Sequence, residues 1–350
     1  MPSGVTSHTK VDYTVESIDA TDRSAVILAY ESAWAGDPKP PVEIGARCDW
    51  LYAANPAGHA RLLRLRTSTN ESVGMVAVVP RRFWLADSSF TLGLLCDFIV
   101  HRGHRTLMPA LLLQRAAREV ADRVFGGTYA IPNDKSLPVI RRLGDSVVEQ
   151  RPRLARVMKS HSYLAQRSTA LARVASWPLD TAAVAWENVV AASRPRLHAE
   201  WLTAFDDRFD DLWRHRPPSS CLGERSSQFL HWRFGNEPER RNLIVGVFDR
   251  RAGQLMAYCV GTHSGRTFEI RDFQCFLDPA GQRASLALMM QKVRSLDVES
   301  VSFRLYANRP VKACFHQLAF RAREFESVFL HSRAGSSRFP DQITRADEDV

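Results

Sequence analysis

The sequence predicts a chain of mixed α/β class that contains the same structural unit twice. Its 350 residues exceed one ordinary domain and fit two. Matching residues recur between the two halves at a constant separation of 175 positions. Runs with the alternation of strands and runs with the three-to-four spacing of helices follow in a similar order in both halves. With 45% hydrophobic and 24% charged residues, the composition is that of a globular protein.

The repeat rests on short matches that keep their order along the chain. Asp97-Phe98 recurs as Asp272-Phe273, each inside an apolar stretch. The other matches are Asn133 with Asn308 and Leu143-Gly144 with Leu318-Ala319 at the same separation, and Trp50 with Trp232 and Pro56 with Pro238 at 182 positions. A shorter hairpin in the second half accounts for the change of separation. Duplication therefore explains the matches better than chance, and such a repeat decides the fold.

The first copy begins and ends with a helix. An N-cap at Thr21 or Asp22 and apolar residues at three-to-four spacing predict a helix to Trp34. Alternating or apolar runs predict strands at about 60–66, 73–79 and 90–101. An apolar stripe predicts a helix over about 108–125, which Gly126-Gly127 ends. A strand at 128–131 and a short helix at about 137–143 complete the unit.

The second copy repeats this order. A helix is predicted to carry Trp201, Phe205, Phe209 and Trp213, and the later elements are strands at about 242–248, 255–260 and 266–277, a helix at 285–296 and a strand at 301–306. We therefore divide the chain into an N-terminal unit (1–150), a connector with some helix (151–197), a C-terminal unit (198–332) and a polar, loosely held tail (333–350).

Composition excludes several classes of protein. The first thirty residues lack the apolar core of a signal peptide, and no apolar run is long enough to span a bilayer, so we expect a cytoplasmic protein. The 6 cysteines form no close pair, so we expect free, buried thiols and no metal site. The net charge of +9 is spread along the chain, which does not favour a nucleic-acid partner.

Arg105-Thr106-Leu107-Met108-Pro109-Ala110 follows the predicted strand at 90–101 and leads into the next predicted helix. This turn resembles that of the GNAT acyltransferase superfamily, whose motif is Gln/Arg-x-x-Gly-x-Gly/Ala between the family's fourth strand and the following helix. The arginine and the last small residue of the motif are kept, but Met108 replaces the first glycine. Pro109 suits the first turn of a helix. The second copy fits this motif less well, at Ala280 to Ser285.

A second family landmark follows the family's fifth strand, which corresponds to the predicted strand at 128–131. Asn133 is followed by Ser136, Leu143 and Gly144 at the family spacing, but Ile140 takes the place of the tyrosine that often reprotonates the departing thiolate. In the second copy Phe315 takes that place. The resemblance covers most of the chain outside the connector and tail. It implies two tandem GNAT-like domains, each a mixed, mostly antiparallel twisted sheet flanked by helices, with the first copy more suited to bind the thioester.

The resemblance also implies a site and a reaction. The protein would move an acyl group from acetyl-CoA or another acyl-CoA to the amine of a small molecule, as an N-acetyltransferase would, without a metal. Residues implied to bind the coenzyme are Ile99, Val100, Arg105, Thr106, Leu107, Met108, Ala110 and Asn133. Asp97, a carboxylate within an apolar strand, and His101, whose side chain exchanges protons near pH 7, are the candidate catalytic residues. A structural role is the alternative for Asp97, because the second copy shares it.

Two other interpretations remain open. Fem-type transferases also contain two such halves and take the acyl group from aminoacyl-tRNA, which would give the positive charge a purpose. A binding module without catalysis would account for Met108, Ile140 and Phe315.

Overall fold

The chain folds into two compact units. The computed structural model describes residues 12–38, 43–144, 147–166, 168–238, 240–332 and 340–348. The first unit takes the described residues within Met1–Pro80, Leu92–Ser146 and Leu330–Ser336. The second takes those within Arg81–Thr91, Val147–Phe329 and Ser337–Val350.

The first unit contains the strands and helices up to residue 142. They are β1 (Tyr13–Ile18), α1 (Arg23–Trp34), α2 (Ile44–Arg47), a π-helical turn (Cys48–Ala53), β2 (Arg61–Thr67), β3 (Ser72–Leu85), β4 (Ser88–Val100), α3 (Leu107–Val124), β5 (Gly127–Ala130) and α4 (Leu137–Arg142). Residues 81–91, at the tip of the β3–β4 hairpin, belong to the second unit. The predicted elements of this copy are present, and β1 is an addition to them.

The sheet of the first unit has the strand order β1-β2-β3-β4-β5. β1, β2 and β3 pair antiparallel, and β5 pairs parallel with β4. One face of α3 covers this sheet, because its apolar residues recur every three or four positions. The resulting core contains Leu63, Leu65, Val73, Val76 and Val78 from the strands and Leu113, Ala117 and Ala121 from the helix. Each large apolar side chain buried there stabilises the unit by about 1.5–3 kcal/mol.

The second unit contains the later elements. They are β6 (Val147–Val157), α5 (His161–Ala165), α6 (Thr169–Ala192), β7 (Leu197–Leu202), α7 (Asp207–Arg214), β8 (Cys221–Gly223), α8 (Ser227–Leu230), a π-helical turn (His231–Gly235), β9 (Leu243–Asp249), β10 (Leu255–Ser264), β11 (Thr267–Cys275), α9 (Pro279–Arg294), β12 (Ser300–Arg304), β13 (Tyr306–Ala307), α10 (Arg309–Gln317), β14 (Arg321–Ser332), β15 (Gln342–Ile343) and a 3-10 turn (Arg345–Asp347).

The strands β7-β9-β10-β11-β12 repeat the order of the first sheet. β7, β9, β10 and β11 pair antiparallel, and β12 pairs parallel with β11. β6 lies between β12 and β14 and pairs antiparallel with both. Residues 147–197, which include the segment interpreted as a connector, thus contribute a strand and two helices to this unit.

The helix predicted to include Trp201 begins later than expected. Residues Leu197–Leu202 form strand β7, and the helix begins at Asp207 after the N-cap Asp206. The prediction was wrong because Leu197, Ala199 and Trp201 pack against the core at alternate positions, which is the period of a strand. Spacing among aromatic residues alone does not distinguish this pattern from a helix.

Residues 340–348 are held in place, which corrects the expectation of a loose tail for these residues; residues 333–339 and 349–350 lie outside the described residues. Thr344 and Ala346 are fully buried, and Asp347 is 1% exposed. β15 pairs with β13 and β8, and the Gln342 side chain donates to the Phe273 carbonyl. The polar composition predicted solvent exposure, but these polar groups form hydrogen bonds with buried partners instead of with water.

Local geometry supports the repeat at three places. A π-helical turn follows a short α-helix in each unit, at Cys48 and at His231. Gly144 and Ala319 both adopt positive φ, +84° and +65°. Asn133 and Asn308 each accept a hydrogen bond from the backbone N–H three residues later, and all of these positions lie at or near matched places in the sequence.

Candidate functional site

A cleft opens in the first unit where β4 and β5 separate. Their parallel pairing joins Gly93 to Thr128 and Leu94 to Tyr129, and β4 continues past this pairing to Val100. The cleft has a volume of about 670 Å³. Its lining residues are Trp34, Asp37, Pro38, Phe98, Ile99, Val100, Arg105, Thr106, Leu107, Ala110, Asn133, Lys135, Ser136 and Val139. The lining combines apolar side chains with two cationic ones, Arg105 and Lys135.

Most of the residues implied by the family motif lie on this cleft. Ile99, Val100, Arg105, Thr106, Leu107, Ala110 and Asn133 line it. Met108 does not line it, and its side chain is 61% exposed. A side chain at this position therefore leaves the cleft open, although the family has a glycine there. Asn133 turns its side-chain oxygen to the backbone N–H groups of Lys135 and Ser136, so it caps the following turn.

The turn between β4 and α3 places a guanidinium beside a helix N-terminus. Arg105 Nε donates to the carbonyl of Val100, the last residue of β4, at 2.8 Å. α3 begins at Leu107 after the N-cap Thr106, and the Thr106 side chain makes no capping bond within the described chain. The first N–H groups of a helix have no partner within it, and they bear partial positive charge. Leu107 and Met108 therefore supply first-turn N–H groups, while Pro109 at the next position has none.

Three further features of the cleft were not predicted. Asp37 follows α1 and forms an ion pair with Arg105, with a distance of 3.2 Å between Arg105 Nη1 and Asp37 Oδ1. Lys135 is exposed and lines the same cleft. Trp34, the last residue of α1, completes one wall. No motif marks these positions, because they lie at the end of α1 and in loops that only the folded chain brings together.

Asp97 lies beside the cleft but is not among its lining residues. Its carboxylate accepts from Arg47, with a distance of 3.0 Å to Nη2, and from the hydroxyl of Tyr52. The backbone at Asp97 has a φ of +47°, which is unusual for a residue other than glycine. Burial, together with the charge of Asp97, raises the pKa of Tyr52 well above its ordinary value, so this hydroxyl stays protonated as a donor. These contacts favour a structural role for Asp97.

His101 begins the turn that leads to α3. Its Nδ1 accepts from the backbone N–H of Gly103 at 3.2 Å. Its neighbour His104 has its Nδ1 3.0 Å from the hydroxyl of Tyr13. Neither histidine is among the lining residues of the cleft. Both side chains therefore hold the turn in the present arrangement.

The thiols are not suited to act as nucleophiles. All six cysteines are free and buried. Burial raises the pKa of Cys48 and of Cys275 to about 12, so both remain protonated near neutral pH. In the described ranges, no three histidine, cysteine or carboxylate side chains are grouped so as to hold a metal ion. No helix in the described part of the chain is long and apolar enough to cross a membrane.

Comparison with known proteins tests the fold. Neither the models of protein families nor the curated proteins give a match to this sequence. Solved structures do match. A GCN5-related N-acetyltransferase from Kribbella flavida has a TM-score of 0.59 and 15% identity over 92% of this chain and 71% of its own. Another from Anabaena variabilis has a TM-score of 0.60 and 12% identity, with 91% and 73% covered.

A third match extends over both units. A tandem GNAT protein from the clavulanic acid biosynthesis pathway has a TM-score of 0.55 and 15% identity, and the alignment covers 93% of this chain and all of that one. The chain has a tandem GNAT fold. This confirms the fold class predicted from the sequence. At these identities the likeness establishes the fold, and the activity is a separate question.

The second GNAT-like unit differs from the first at the matched positions. Phe315, in the place of the family tyrosine, is fully buried. Its ring packs within about 5 Å of three other rings, those of Phe273, Phe303 and Phe320. The N-terminus of α9 is capped by Asp278, whose carboxylate accepts from the N–H of Gly281 at 2.9 Å. A negative side chain of the protein itself therefore occupies the position that an anionic ligand would take.

Proposed function

We propose that the protein is an acyltransferase that moves an acyl group from acyl-CoA to the amine of a small molecule, and that the first unit binds the donor. The observation that carries the proposal is the cleft beside β4, which joins an apolar wall to an uncapped helix N-terminus and Arg105. Coenzyme A has the matching chemistry, since it joins a pantetheine arm to a pyrophosphate. Acetyl-CoA is the proposed donor among acyl-CoA compounds, and the proposed location is the cytoplasm.

The anionic end of the donor would lie at the start of α3. N–H groups of a helix N-terminus and an adjacent arginine form an anion site through exposed donors and the helix dipole. Arg105 and the N–H groups of Leu107 and Met108 supply these donors. Lys135 adds a second cation on the lining of the cleft.

The pantetheine arm would run along the end of β4. The pairing with β5 in the described part of the chain ends at Leu94, and Ile99 and Val100 line the cleft beyond it. A backbone N–H there would stabilise the oxyanion that develops when an amine attacks the thioester. Holding donor and acceptor together would supply much of the remaining rate enhancement.

Both candidate side chains for proton transfer already take part in hydrogen bonds within the chain. Asp97 is engaged by Arg47 and Tyr52, and His101 Nδ1 is engaged by Gly103. A neutral His101 with this hydrogen bond carries its proton on Nε2, so it would donate rather than accept there. We therefore propose a structural role for Asp97 and retain His101 as the candidate proton carrier.

Binding of coenzyme A tests the proposal. A ligand that binds only the native state raises the melting temperature, so coenzyme A and acetyl-CoA should stabilise the protein in a saturable way. The variant Arg105→Gln should weaken the shift strongly, because it removes a cation from the anion site. Ala110→Glu should abolish it, because Ala110 is 8% exposed and lines the cleft, where a carboxylate would repel the pyrophosphate.

The matched control lies in the other unit. Arg283→Gln makes the same change at the fifth residue of α9, and it should leave the shift unchanged. Absence of a shift with acyl-CoA of any chain length would contradict the proposal. Equal loss in the Arg105 and Arg283 variants would contradict the assignment to the first unit.

A further inference from the structure

The ion pair between Asp37 and Arg105 lies where the proposed donor would bind. Arg105 Nη1 is 3.2 Å from Asp37 Oδ1, and Arg105 Nη2 also contacts the carboxylate. Both residues line the cleft beside β4. Among the described residues that line it, Asp37 has the only carboxylate. The cation assigned to the pyrophosphate is thus already paired with an anion of the chain.

The chain around Asp37 is built to deliver this carboxylate. α1 ends at Trp34, and the N–H of Asp37 donates to the Trp34 carbonyl at 3.0 Å. Gly36 has a φ of +81°, which favours glycine and turns the chain back toward the cleft. Arg102 Nη1 donates to the Gly36 carbonyl at 2.7 Å. Two arginines of the β4–α3 turn therefore hold residues 36 and 37.

We propose that Asp37 is a stand-in anion that competes with the pyrophosphate of coenzyme A for Arg105, and thereby sets the affinity and selectivity of the donor site. The proposal rests on the proposed function of the same cleft. Binding would exchange one anionic partner of Arg105 for another, and the displaced carboxylate would also repel the incoming phosphates. Asp37 therefore opposes anionic donors and leaves ligands without phosphate unaffected.

The structure also indicates the size of the effect. The Asp37 side chain is 15% exposed and that of Arg105 is 43% exposed, so water weakens their attraction. An exchangeable pair of this kind, together with the repulsion it adds, corresponds to an affinity change of about three- to tenfold. The direction of the change in coenzyme A affinity distinguishes the two roles of Asp37. Loss of a competing anion would strengthen binding, whereas loss of a structural contact would weaken it.

Titration calorimetry with two ligands tests the proposal. Asp37→Asn should bind coenzyme A about three- to tenfold more tightly than the parent protein, because the competitor is gone. Binding of pantetheine, which lacks the pyrophosphate, should change less than about twofold. Asp49→Asn makes the same charge change at a carboxylate that pairs with Arg23 and does not line the cleft, and it should leave both affinities unchanged. In an Arg105→Gln background, Asp37→Asn should give no gain or a smaller one.

The outcomes separate the two proposals. Weaker or unchanged coenzyme A binding by Asp37→Asn would overturn the competition while leaving the proposed function intact. An equal gain from Asp49→Asn would also overturn it, because the cause would then be net charge. If the parent protein binds no coenzyme A, the proposed function fails and the competition fails with it.

Discussion

The two units use the same structural position, the start of the helix after the long strand, in opposite ways. In the first unit the Thr106 side chain makes no capping bond to α3 within the described chain, and Arg105 lies beside its first turn. In the second unit Asp278 caps α9 with its own carboxylate. A free helix N-terminus attracts anions, and a capped one has its attraction satisfied. The two units thus share the fold, while their local side chains differ in whether the N-terminus of this helix already has a carboxylate of the chain as its partner.

Asp97 and Asp272, the matched aspartates that indicated the repeat, differ in burial and in their hydrogen-bond partners. The Asp97 carboxylate accepts hydrogen bonds from Arg47 and Tyr52. The Asp97 side chain is 11% exposed, and that of Arg47 is 8% exposed. Asp272 is fully buried and accepts from Arg225, Tyr258 and Thr344. The second unit has therefore turned a shared carboxylate into the centre of a buried network. A protein can keep such a residue in both copies for stability alone.

The largest expected effect comes from breaking that network. Arg225→Met should lower the free energy of unfolding of the second unit by about 3–5 kcal/mol, because it leaves buried carboxylates without their cation. Arg225 also pairs with Asp347, at 2.7 Å. The matched change Arg47→Met should cost the first unit only about 1–3 kcal/mol, because Asp97 is 11% exposed to water and keeps its bond from Tyr52, whereas Arg225 pairs with two carboxylates that are 0% and 1% exposed. Urea unfolding followed by hydrogen exchange in each unit measures both values, and a larger loss in the first unit would contradict the comparison.

The next largest expected difference between the two units is their loss of stability in acid. Burial by itself raises the pKa of Glu348, but the charges of Arg151 and Arg345 outweigh burial and leave the pKa below its ordinary value. Its stabilising contribution is therefore complete above the pKa of the unfolded chain, about 4.3, and is lost as pH falls below it. Carboxylates with lowered pKa values in the first unit, such as Glu16 and Glu43, are exposed and contribute less.

Hydrogen exchange at a series of pH values measures this difference. Protection in β11 should fall before protection in β4 as the pH is lowered from 6 to about 3. Glu348→Gln should reduce the pH dependence in the second unit, and Glu16→Gln is the matched control in the first. Simultaneous loss of protection in both units would show that the buried carboxylates do not govern the acid response.

A smaller effect should follow from removing the cap of α9. Asp278→Ala should cost the second unit about 1 kcal/mol, the usual value for an N-cap carboxylate. It should not create a coenzyme site, because the cleft that Asp278 lines has a volume of about 370 Å³, against about 670 Å³ for the cleft of the first unit. Urea unfolding and titration with coenzyme A measure the two results. New binding of coenzyme A by Asp278→Ala would mean that the cap alone kept the second unit closed.

Sequence reasoning could indicate cleft residues where the signal is local. The motif from Arg105 to Ala110 and the asparagine turn at Asn133 are short, and Arg105, Thr106, Leu107, Ala110 and Asn133 line the cleft, whereas Met108 does not. Asp37 was missed because it reaches Arg105 from a loop far away in the chain. The burial of residues 340–348 was missed because their partners Arg151, Arg225 and Arg233 come from separate elements. Polar composition predicts solvent exposure only when no such partners exist.

The smallest effect tests the repeat at the level of the backbone. Gly144 and Ala319 occupy matched positions with φ of +84° and +65°. A left-handed conformation costs a residue with a Cβ about 1–2 kcal/mol, whereas glycine adopts it freely but loses more entropy on folding. A Cβ at Gly144 would meet no atom within 4 Å, so backbone strain is its only penalty. Gly144→Ala should thus destabilise the first unit by about 0.5–1 kcal/mol, and Ala319→Gly should stabilise the second by a similar amount or less. Changes of the same sign in the two variants, measured by urea unfolding, would show that the matched backbone positions are not equivalent.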